Sequence, residues 1–458
     1  MTEAELLQQI VRAVTERGGS TYLVGGGVRD ELLGFPVKDT DVPVTLVGFD
    51  DLVSSLGAFA RVDVVGASFG VLKVSADGTT IDVALPRTER STGVGHKDFE
   101  VSFDPHLNLQ ADLARRDFTV NAIALHLPDG AINDPFGGQR DLEQRILRAV
   151  GDAQERFRED PLRMLRAARF VAKLDFEIEP ETLGAMKLEA DLIASVAPER
   201  VQTELMGLLE ATHASGVHRA LQILRDSGLL ERIVPEWKAS IGFDQQNPHH
   251  QFTLDEHVFQ AVRYAVAHGA STNTRLALLL HDIAKPMTLS FGTDGIAHYY
   301  GHEVEGAYIA RTVLERLKFS TDTLESAVHV VRQHMRPPRI SSDKVLRRWM
   351  NNLGDDWQAA LECREADLSA HVLPEGFDPK VWSKQIRSRC ESFGPTVATF
   401  DERALALEGQ DIMRAFGIAP GPEVGRLKKL AAQAVVDGEL ENESDAILAW
   451  LRTHEHQS

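Results

Sequence analysis

The run Gly25-Gly26-Gly27-Val28-Arg29-Asp30, with Asp39-Thr40-Asp41 beginning nine residues after it, constrains this chain more than any other stretch. Tyr22-Leu23-Val24 ahead of it is a short apolar run that reads as a strand ending at the glycines, and residues 28 to 33 read as a helix. Glycine lets a backbone come close to a ligand, and the N–H groups at a helix start favour an anion. On a strand, Asp39 and Asp41 share a face because i and i+2 point the same way. Two carboxylates on one face repel unless a cation sits between them, and Mg²⁺ is the usual cation where phosphates are also nearby. The order of strand, glycine turn, helix and two-carboxylate strand fits a nucleotidyl-transfer site. It also fits a glycine turn followed by an acidic loop.

At 458 residues the chain is too long for one core and suggests about three domains. Its apolar and charged fractions are ordinary for a soluble globular protein. No apolar run is long enough for a transmembrane helix, so no membrane partner is expected. The start Met1-Thr2-Glu3-Ala4-Glu5 lacks the basic and apolar regions of a signal peptide. Cys363 and Cys390 form no metal-spaced cluster. These features together lead us to expect a cytoplasmic protein. A formal net charge of −19 argues against a general nucleic-acid binder. However, residues 156 to 173 carry Arg156, Arg158, Arg163, Arg166, Arg169 and Lys173 against only Glu159 and Asp160, a local basic strip able to bind phosphates.

Residues 5 to 17 read as an amphipathic helix, and short β-branched strands follow at 42–47, 61–66, 70–75 and 79–85. Pro43, just after Asp41, is awkward in a central strand, so an edge strand or a late start is expected there. Asp82 lies among apolar neighbours, either as a third carboxylate aimed at the same metal site or as a strand residue facing solvent. Residues 91 to 108 read as a mobile loop. In Arg115-Arg116-Asp117-Phe118-Thr119-Val120-Asn121-Ala122 the two guanidinium forks suit a polyphosphate, and Asp117 and Asn121 could bond a ribose or orient the arginines. A charged helix start on the surface would look similar. Asp134-Pro135-Phe136-Gly137-Gly138 is a turn that marks the first boundary. Beyond it, to about 235, the chain reads as nearly all helix. Asp160-Pro161 fits an N-cap followed by Pro at the first helical position. Arg163, Arg166 and Arg169 then fan across one side of the helix.

In the second half, Leu276-Ala277-Leu278-Leu279-Leu280-His281-Asp282 puts a His-Asp pair at the end of an apolar helix. His257 lies ahead of it, and His298, His302, His334 and Asp367 follow. Histidines and carboxylates so placed can converge on a divalent metal. In the tail, Gly409-Gln410-Asp411-Ile412-Met413 and Pro420-Gly421-Pro422-Glu423-Val424-Gly425 read as capped turns between packed helices.

Four segments in register now resemble one family. They are Gly25 to Asp30 with Asp39-Thr40-Asp41; Arg115 to Ala122; Asp134-Pro135-Phe136-Gly137-Gly138-Gln139-Arg140-Asp141-Leu142; and Glu159-Asp160-Pro161-Leu162-Arg163-Met164-Leu165-Arg166-Ala167-Ala168-Arg169-Phe170. Their order and spacing resemble the class II tRNA nucleotidyltransferases (CCA-adding enzymes) and bacterial poly(A) polymerases. The later His257, His281-Asp282 and Asp367 resemble the HD phosphohydrolase superfamily. Pro43 departs from the apolar residues usual after the second aspartate.

The resemblance implies an α+β fold: a nucleotidyltransferase head with a mixed sheet over residues 1–140, a helical neck and body over 141–235, an all-α HD domain over 236–372 and a helical extension over 373–458. It implies that Asp39 and Asp41 hold Mg²⁺, activating the tRNA 3′-hydroxyl and clamping the α-phosphate, with Asp82 as a third catalytic candidate. Gly26, Arg29 and Arg116 would contact the triphosphate, with Asp117 and Asn121 beside them. Asp160 and Arg163 would read the base edge, and Arg166 and Arg169 would bind the nucleotide. His257, His281, Asp282 and Asp367 would hold Ni²⁺, Mn²⁺ or Co²⁺, and His302 and His334 could add a second metal or position phosphate. The implied activity is addition of CCA to tRNA from CTP and ATP, by a monomer or homodimer, with a phosphohydrolase activity at the HD site. Two alternatives stay open: a poly(A) polymerase or A-adding enzyme, and a metal-dependent phosphohydrolase whose N-terminal half only binds RNA.

Overall fold

The structure, a computed structural model, describes residues 1–36, 40–65, 70–91, 99–103, 107–337 and 341–454. The chain divides into two compact units, Met1–Pro235 and Glu236–Ser458.

The first unit opens with α1 (Glu3–Thr15), which starts where Thr2 and Glu5 form a reciprocal capping box. Leu6, Ile10 and Val14 repeat at helical spacing and are fully buried. Each gains roughly 1.5–3 kcal/mol by leaving water. They pack on the inner face of a mixed sheet whose strands are β1 (Ser20–Val24), β2 (Asp41–Thr45), β3 (Arg61–Val65), β4 (Val71–Ala76) and β5 (Thr79–Ala84). Helices α2 (Gly26–Leu32) and α3 (Phe49–Leu56) connect these strands. The hairpin arms β6 (Arg87–Ser91) and β7 (Phe99–Phe103) pair with each other, so part of the expected mobile loop is strand. After α4 (Leu109–Ala114), β8 (Ala124–His126) and β9 (Ile132–Asn133) complete the sheet order β3-β4-β5-β2-β1-β8-β9.

Alternation along β5 decides which face carries chemistry. Ile81 and Val83 enter the core, so Asp82 points to the other face. β2 is neither the edge strand nor the late-starting strand expected from Pro43: it begins at Asp41, ahead of the proline, and lies between β5 and β1. Its first half, Asp41 to Pro43, pairs with β5, whereas its pairing with β1 involves Val44 and Thr45. The change of partner falls at the residue that has no N–H to donate, which is how a proline fits inside this sheet.

Helices α5 (Gly138–Gln144), α6 (Ala153–Glu159), α7 (Leu162–Leu174), α8 (Pro180–Glu189), α9 (Pro198–Leu209), α10 (Ala214–Asp226) and α11 (Leu229–Ile233) follow. α7 buries Met164, Ala167, Ala168 and Val171, while Arg163 bonds Glu159 of α6 and Arg166 and Arg169 pair with Glu204 of α9.

The second unit is helical: α12 (Leu254–Ala267), α13 (Thr272–Leu280), α14 (His302–Arg316), α15 (Thr321–Gln333), α16 (Asp343–Leu353), α17 (Trp357–Ser369) and α18 (Pro379–Ser392). α13 is buried on all sides from Thr274 to Leu280, so it delivers His281 and Asp282 into the interior. The tail helices α19 (Thr396–Thr399), α20 (Gly409–Phe416), α21 (Pro422–Asp437) and α22 (Ser444–His454) include a small core of Ile412, Leu427, Ala431, Ile447 and Leu451. Arg348 of α16 grips Asp437 of α21 with two bonds of 2.6 and 2.7 Å. Among the described residues, no helix is long and apolar enough to cross a membrane.

Candidate active site and candidate metal centre

In the first unit, β1 ends at Val24 and the chain turns at Gly25, which adopts φ +71°. A Cβ there would lie 2.6 Å from Nη1 of Arg116, so only glycine lets that guanidinium sit under the turn. Arg29, one turn into α2, is buried and splayed between two partners. Its Nε donates to Asp30 Oδ1 at 2.8 Å and its Nη1 to Asn121 Oδ1 at 2.7 Å. Asn121 Nδ2 in turn donates to Asp117 Oδ1 at 3.0 Å, which also accepts the Phe118 N–H. Asp117 Oδ2 takes two bonds from Arg166, at 2.9 Å from Nε and 2.7 Å from Nη2. Beyond it, Glu204 ties Arg166 to Arg169. Arg29, Arg166 and Arg169 all lie against the ring of Phe170, at 5.3, 5.4 and 4.6 Å from its centroid.

One continuous charge-assisted network therefore joins the glycine turn, the Arg115–Ala122 segment and α7. The side chains of Asp117 and Asn121 hold Arg166 and Arg29, while the Asn121 carbonyl accepts from Arg116 Nη1 at 3.4 Å. Burial works against the Asp117 charge, but Arg166 and the bonds from Asn121 and the Phe118 N–H outweigh it and lower its pKa. Burial lowers the pKa of Arg116, against the pull of Asp112 and Asp41.

Asp41 and Asp82 are paired residues on the parallel strands β2 and β5, so their side chains leave the sheet on the same face. Lys73 of β4 is opposite Asp82 and its Nζ is 4.0 Å from Oδ1. Asp39 lies outside the described residues. Carboxylate oxygens as the donor set fit a hard cation such as Mg²⁺.

At the base of α7 the N-cap position is held by Pro161 and not, as expected, by Asp160, which closes α6 and engages both its oxygens. Its Oδ1 accepts the Leu162 N–H at 3.1 Å and its Oδ2 accepts from Arg200 Nη2 at 3.1 Å. Arg163 reaches back to the Arg115 carbonyl at 2.8 Å and to Glu159 at 2.9 Å. Glu204 and Arg200 were not singled out from the sequence. Their signal was a charge on α9 beside the buried Val201, Leu205 and Leu208.

The second unit holds a different constellation. His257, His281, Asp282 and Asp367, all buried, bring one ligand atom each within 4.8 Å of one another, as do Asp282, His302 and His334. His257 Nε2 is 3.1 Å from Asp367 Oδ1, and His281 Nε2 is 3.1 Å from Asp282 Oδ2. Nδ1 of His281, His302 and His334 each donates at 2.6 Å to the carbonyl of Leu278, Tyr299 and Val331 respectively. These bonds fix the tautomer and leave Nε2 as the ligand atom. The Nε2 atoms of His302 and His334 consequently face each other at 3.1 Å. Two lone pairs so close repel unless a proton or a cation lies between them. The donor set of imidazole and carboxylate fits a transition metal.

Burial lowers the His334 pKa to about 4. It also opposes charge on His281, but the adjacent Asp282 and Asp367 prevail and push His281 up to about 10. Its proton is the stand-in for a cation that a bound ion would displace. Asp282 is held well below the usual carboxylate range, because His281 and Lys285 outweigh its burial. Lys285 Nζ is 2.7 Å from Asp282, and Arg364 Nη1 donates to Asp367 Oδ2 at 2.7 Å. Lys285, Arg364 and two further histidines, His250 and His371, were missed in the sequence. Lys285 and His371 stand three and four residues after an expected ligand, which is the available signal.

Comparison with known proteins follows the same division. The model of the poly A polymerase head domain matches residues 21–148, that of the probable RNA and SrmB-binding site of polymerase A matches 175–241, and that of the HD domain matches 254–373. A multifunctional CCA protein of Azoarcus sp. is 42% identical over 319 residues, which is 69% of this chain and 73% of the relative. The multifunctional CCA protein of Nitrosococcus oceani is 40% identical, covering 68% and 74%. The crystal structure of the Bacillus stearothermophilus CCA-adding enzyme in complex with CTP superposes with a TM-score of 0.71 at 27% identity, covering 100% of both chains. The Thermotoga maritima CCA-adding enzyme complexed with tRNA shares the fold, with a TM-score of 0.59 at 19% identity.

Proposed function

The chain belongs to the class II CCA-adding enzyme and poly(A) polymerase family with a C-terminal HD domain, and from that premise we propose how its residues divide the work. The protein is a tRNA nucleotidyltransferase that uses CTP and ATP to build the 3′-terminal CCA. Asp41 and Asp82, together with Asp39, form the carboxylate face of the reaction centre. Bound Mg²⁺ there would supply Lewis-acid activation of the tRNA 3′-hydroxyl and charge neutralisation at the α-phosphate. Arg29 and Arg116 line the glycine turn and meet the triphosphate, and Gly26 lets the backbone approach it. Asp117 and Asn121 keep Arg29 and Arg166 in fixed orientation. Arg166 and Arg169 bind the nucleotide beside Phe170.

Base choice rests on Asp160 and Arg163. Each Asp160 oxygen accepts one bond in the structure and a carboxylate oxygen has two lone pairs, so the residue can keep its bonds to the Leu162 N–H and Arg200 and still meet a base edge. Arg163 is anchored through Arg115 and Glu159, which limits the directions in which it can donate. The observation that carries this reading is the unbroken network from Arg29 through Asn121 and Asp117 to Arg166, which ties three separate sequence segments together. The test is to supply tRNA lacking CCA with CTP, ATP, or both. Sequential C, C and A addition supports it. Extension by A alone, or by unlimited A, points instead to a poly(A) or A-adding enzyme.

We also propose that the HD centre is an active phosphohydrolase. His257, His281, Asp282 and Asp367 would hold one transition-metal ion, and Asp282, His302 and His334 a second. A bound ion would lower the pKa of its water and supply hydroxide near neutral pH. Asp282 sits in both sets, and Lys285 and Arg364 hold the two carboxylates in place. A 2′,3′-cyclic phosphate or a 2′-phosphate is the substrate class to assay. The facing Nε2 atoms of His302 and His334 carry this reading.

A further inference from the structure

Beside the two metal sets of the HD centre lies a third cluster, which shares His257 with the first set and adds His250 and His371. His250, His257 and His371 bring one ring nitrogen each within 4.8 Å of one another. Their ring centroids form a nearly equilateral triangle with sides of 4.5, 5.2 and 5.1 Å. His250 Nδ1 and His257 Nδ1 are buried with no hydrogen-bond partner, and His371 Nε2 beside them has only the Asp367 carboxylate within reach. A polar nitrogen hidden without a partner costs about 1–3 kcal/mol, so two on one cluster call for a common ligand.

The backbone holds these rings together before any ligand arrives. His250 and His371 form an isolated β-bridge, and the Val372 N–H donates to the His249 carbonyl at 2.8 Å. The loop before α12 is thereby clamped to the end of α17. His257 is wholly buried, whereas His250 and His371 are partly exposed, so the cluster leads from the HD centre towards solvent. His371 Nε2 is 3.2 Å from Asp367 Oδ1, the same oxygen that faces His257 Nε2.

We propose that His250, His257 and His371 form a third divalent-metal position on the solvent side of the HD centre, with Asp367 adjoining it. A donor set of three imidazoles selects a borderline transition ion such as Co²⁺, Ni²⁺ or Zn²⁺ over Mg²⁺ or Ca²⁺. Three protein ligands leave a coordination position open, on the side from which a phosphate ester would enter. The inference rests on the HD-centre reading through His257 and Asp367, which the sites share; His257 would offer Nε2 to the HD centre and Nδ1 to the third position, releasing its ring proton to solvent and bridging as an imidazolate.

The test counts metal instead of turnover. Full-length protein stripped with chelator is loaded with Co²⁺, desalted, and assayed for cobalt per chain by mass spectrometry and by the ligand-field absorption of bound Co²⁺. The expected result is one equivalent for each of the three groups in the wild type, and one equivalent fewer in His250→Ala and in His371→Ala. His371→Gln, which keeps a polar side chain, serves if the alanine form loses its circular dichroism, and it must also fall by one. Circular dichroism and the thermal transition of the second unit in the same preparations report that it is folded. Two equivalents in the wild type, unchanged by His250→Ala and His371→Ala, would overturn the third position and leave the HD centre standing. No retained cobalt in a folded wild type would overturn both.

Discussion

Asp41 and Asp82 are direct partners across two parallel strands, and they leave the sheet on the face opposite the α1 core. This pairing makes Asp82, a half-exposed aspartate in an otherwise apolar strand, a direct neighbour of Asp41. Asp82→Asn is expected to lower kcat for nucleotide addition about 10²-fold, the scale of one positioned proton acceptor or charge. Lys73→Ala removes only a half-exposed 4.0 Å contact to Asp82, and its effect should stay within about 1 kcal/mol. Steady-state kinetics with CTP on the two variants separates them; equal effects would make Asp82 a mere surface residue.

Asp117 is the keystone of the arginine network. Asp117→Asn should destabilise the first unit by about 2–3 kcal/mol, below the cost for a fully buried pair because Arg166 is about one-third exposed. The folded-state pKa of Asp117 is depressed, so its stabilisation is fully present above the unfolded value of about 4 and is lost as pH falls through the folded value. Urea unfolding of the two proteins should therefore differ at pH 7 and converge in strong acid. A gap that persists there would assign the effect to packing.

Arg163→Lys keeps the charge and removes the planar fork. Discrimination among CTP, ATP, UTP and GTP should fall by roughly 1–3 kcal/mol while triphosphate affinity changes little. Competition assays measure this directly. Unchanged base preference with a raised KM would reassign Arg163 to phosphate contact.

Adding Ni²⁺ or Co²⁺ to chelator-treated protein should raise the thermal transition of the second unit, by about 2.7 kcal/mol of stability at one hundred times Kd. Asp282→Ala should lose that gain and any phosphohydrolase activity while nucleotide addition continues, since the two sites lie in separate compact units. Loss of both activities in a folded variant would show that the units are coupled.

Much of this was legible in the residues themselves. The glycine turn, the Arg115–Ala122 segment and the His281-Asp282 pair are each contiguous runs, and a contiguous run is visible in a sequence. What was not legible depends on distant segments meeting. Asp117 finds Arg166 across 49 positions, and Glu204 serves Arg169 across 35. Pro43 misled because a proline argues against a central strand unless the strand changes partner at that residue, and nothing local announces such a change. His250 and His371 were hidden for the same reason: only the β-bridge between a loop and a helix end brings them to His257.

The central claim is that the carboxylate face at Asp41 performs CCA addition. The most direct measurement incubates purified wild type and Asp41→Ala with tRNA lacking CCA, CTP, ATP and Mg²⁺, and resolves the products at single-nucleotide length. The account predicts that wild type adds C, C and A and stops, and that a folded Asp41→Ala loses several kcal/mol of transition-state stabilisation, leaving addition at least about 10²-fold slower. Near-normal addition by Asp41→Ala would contradict it.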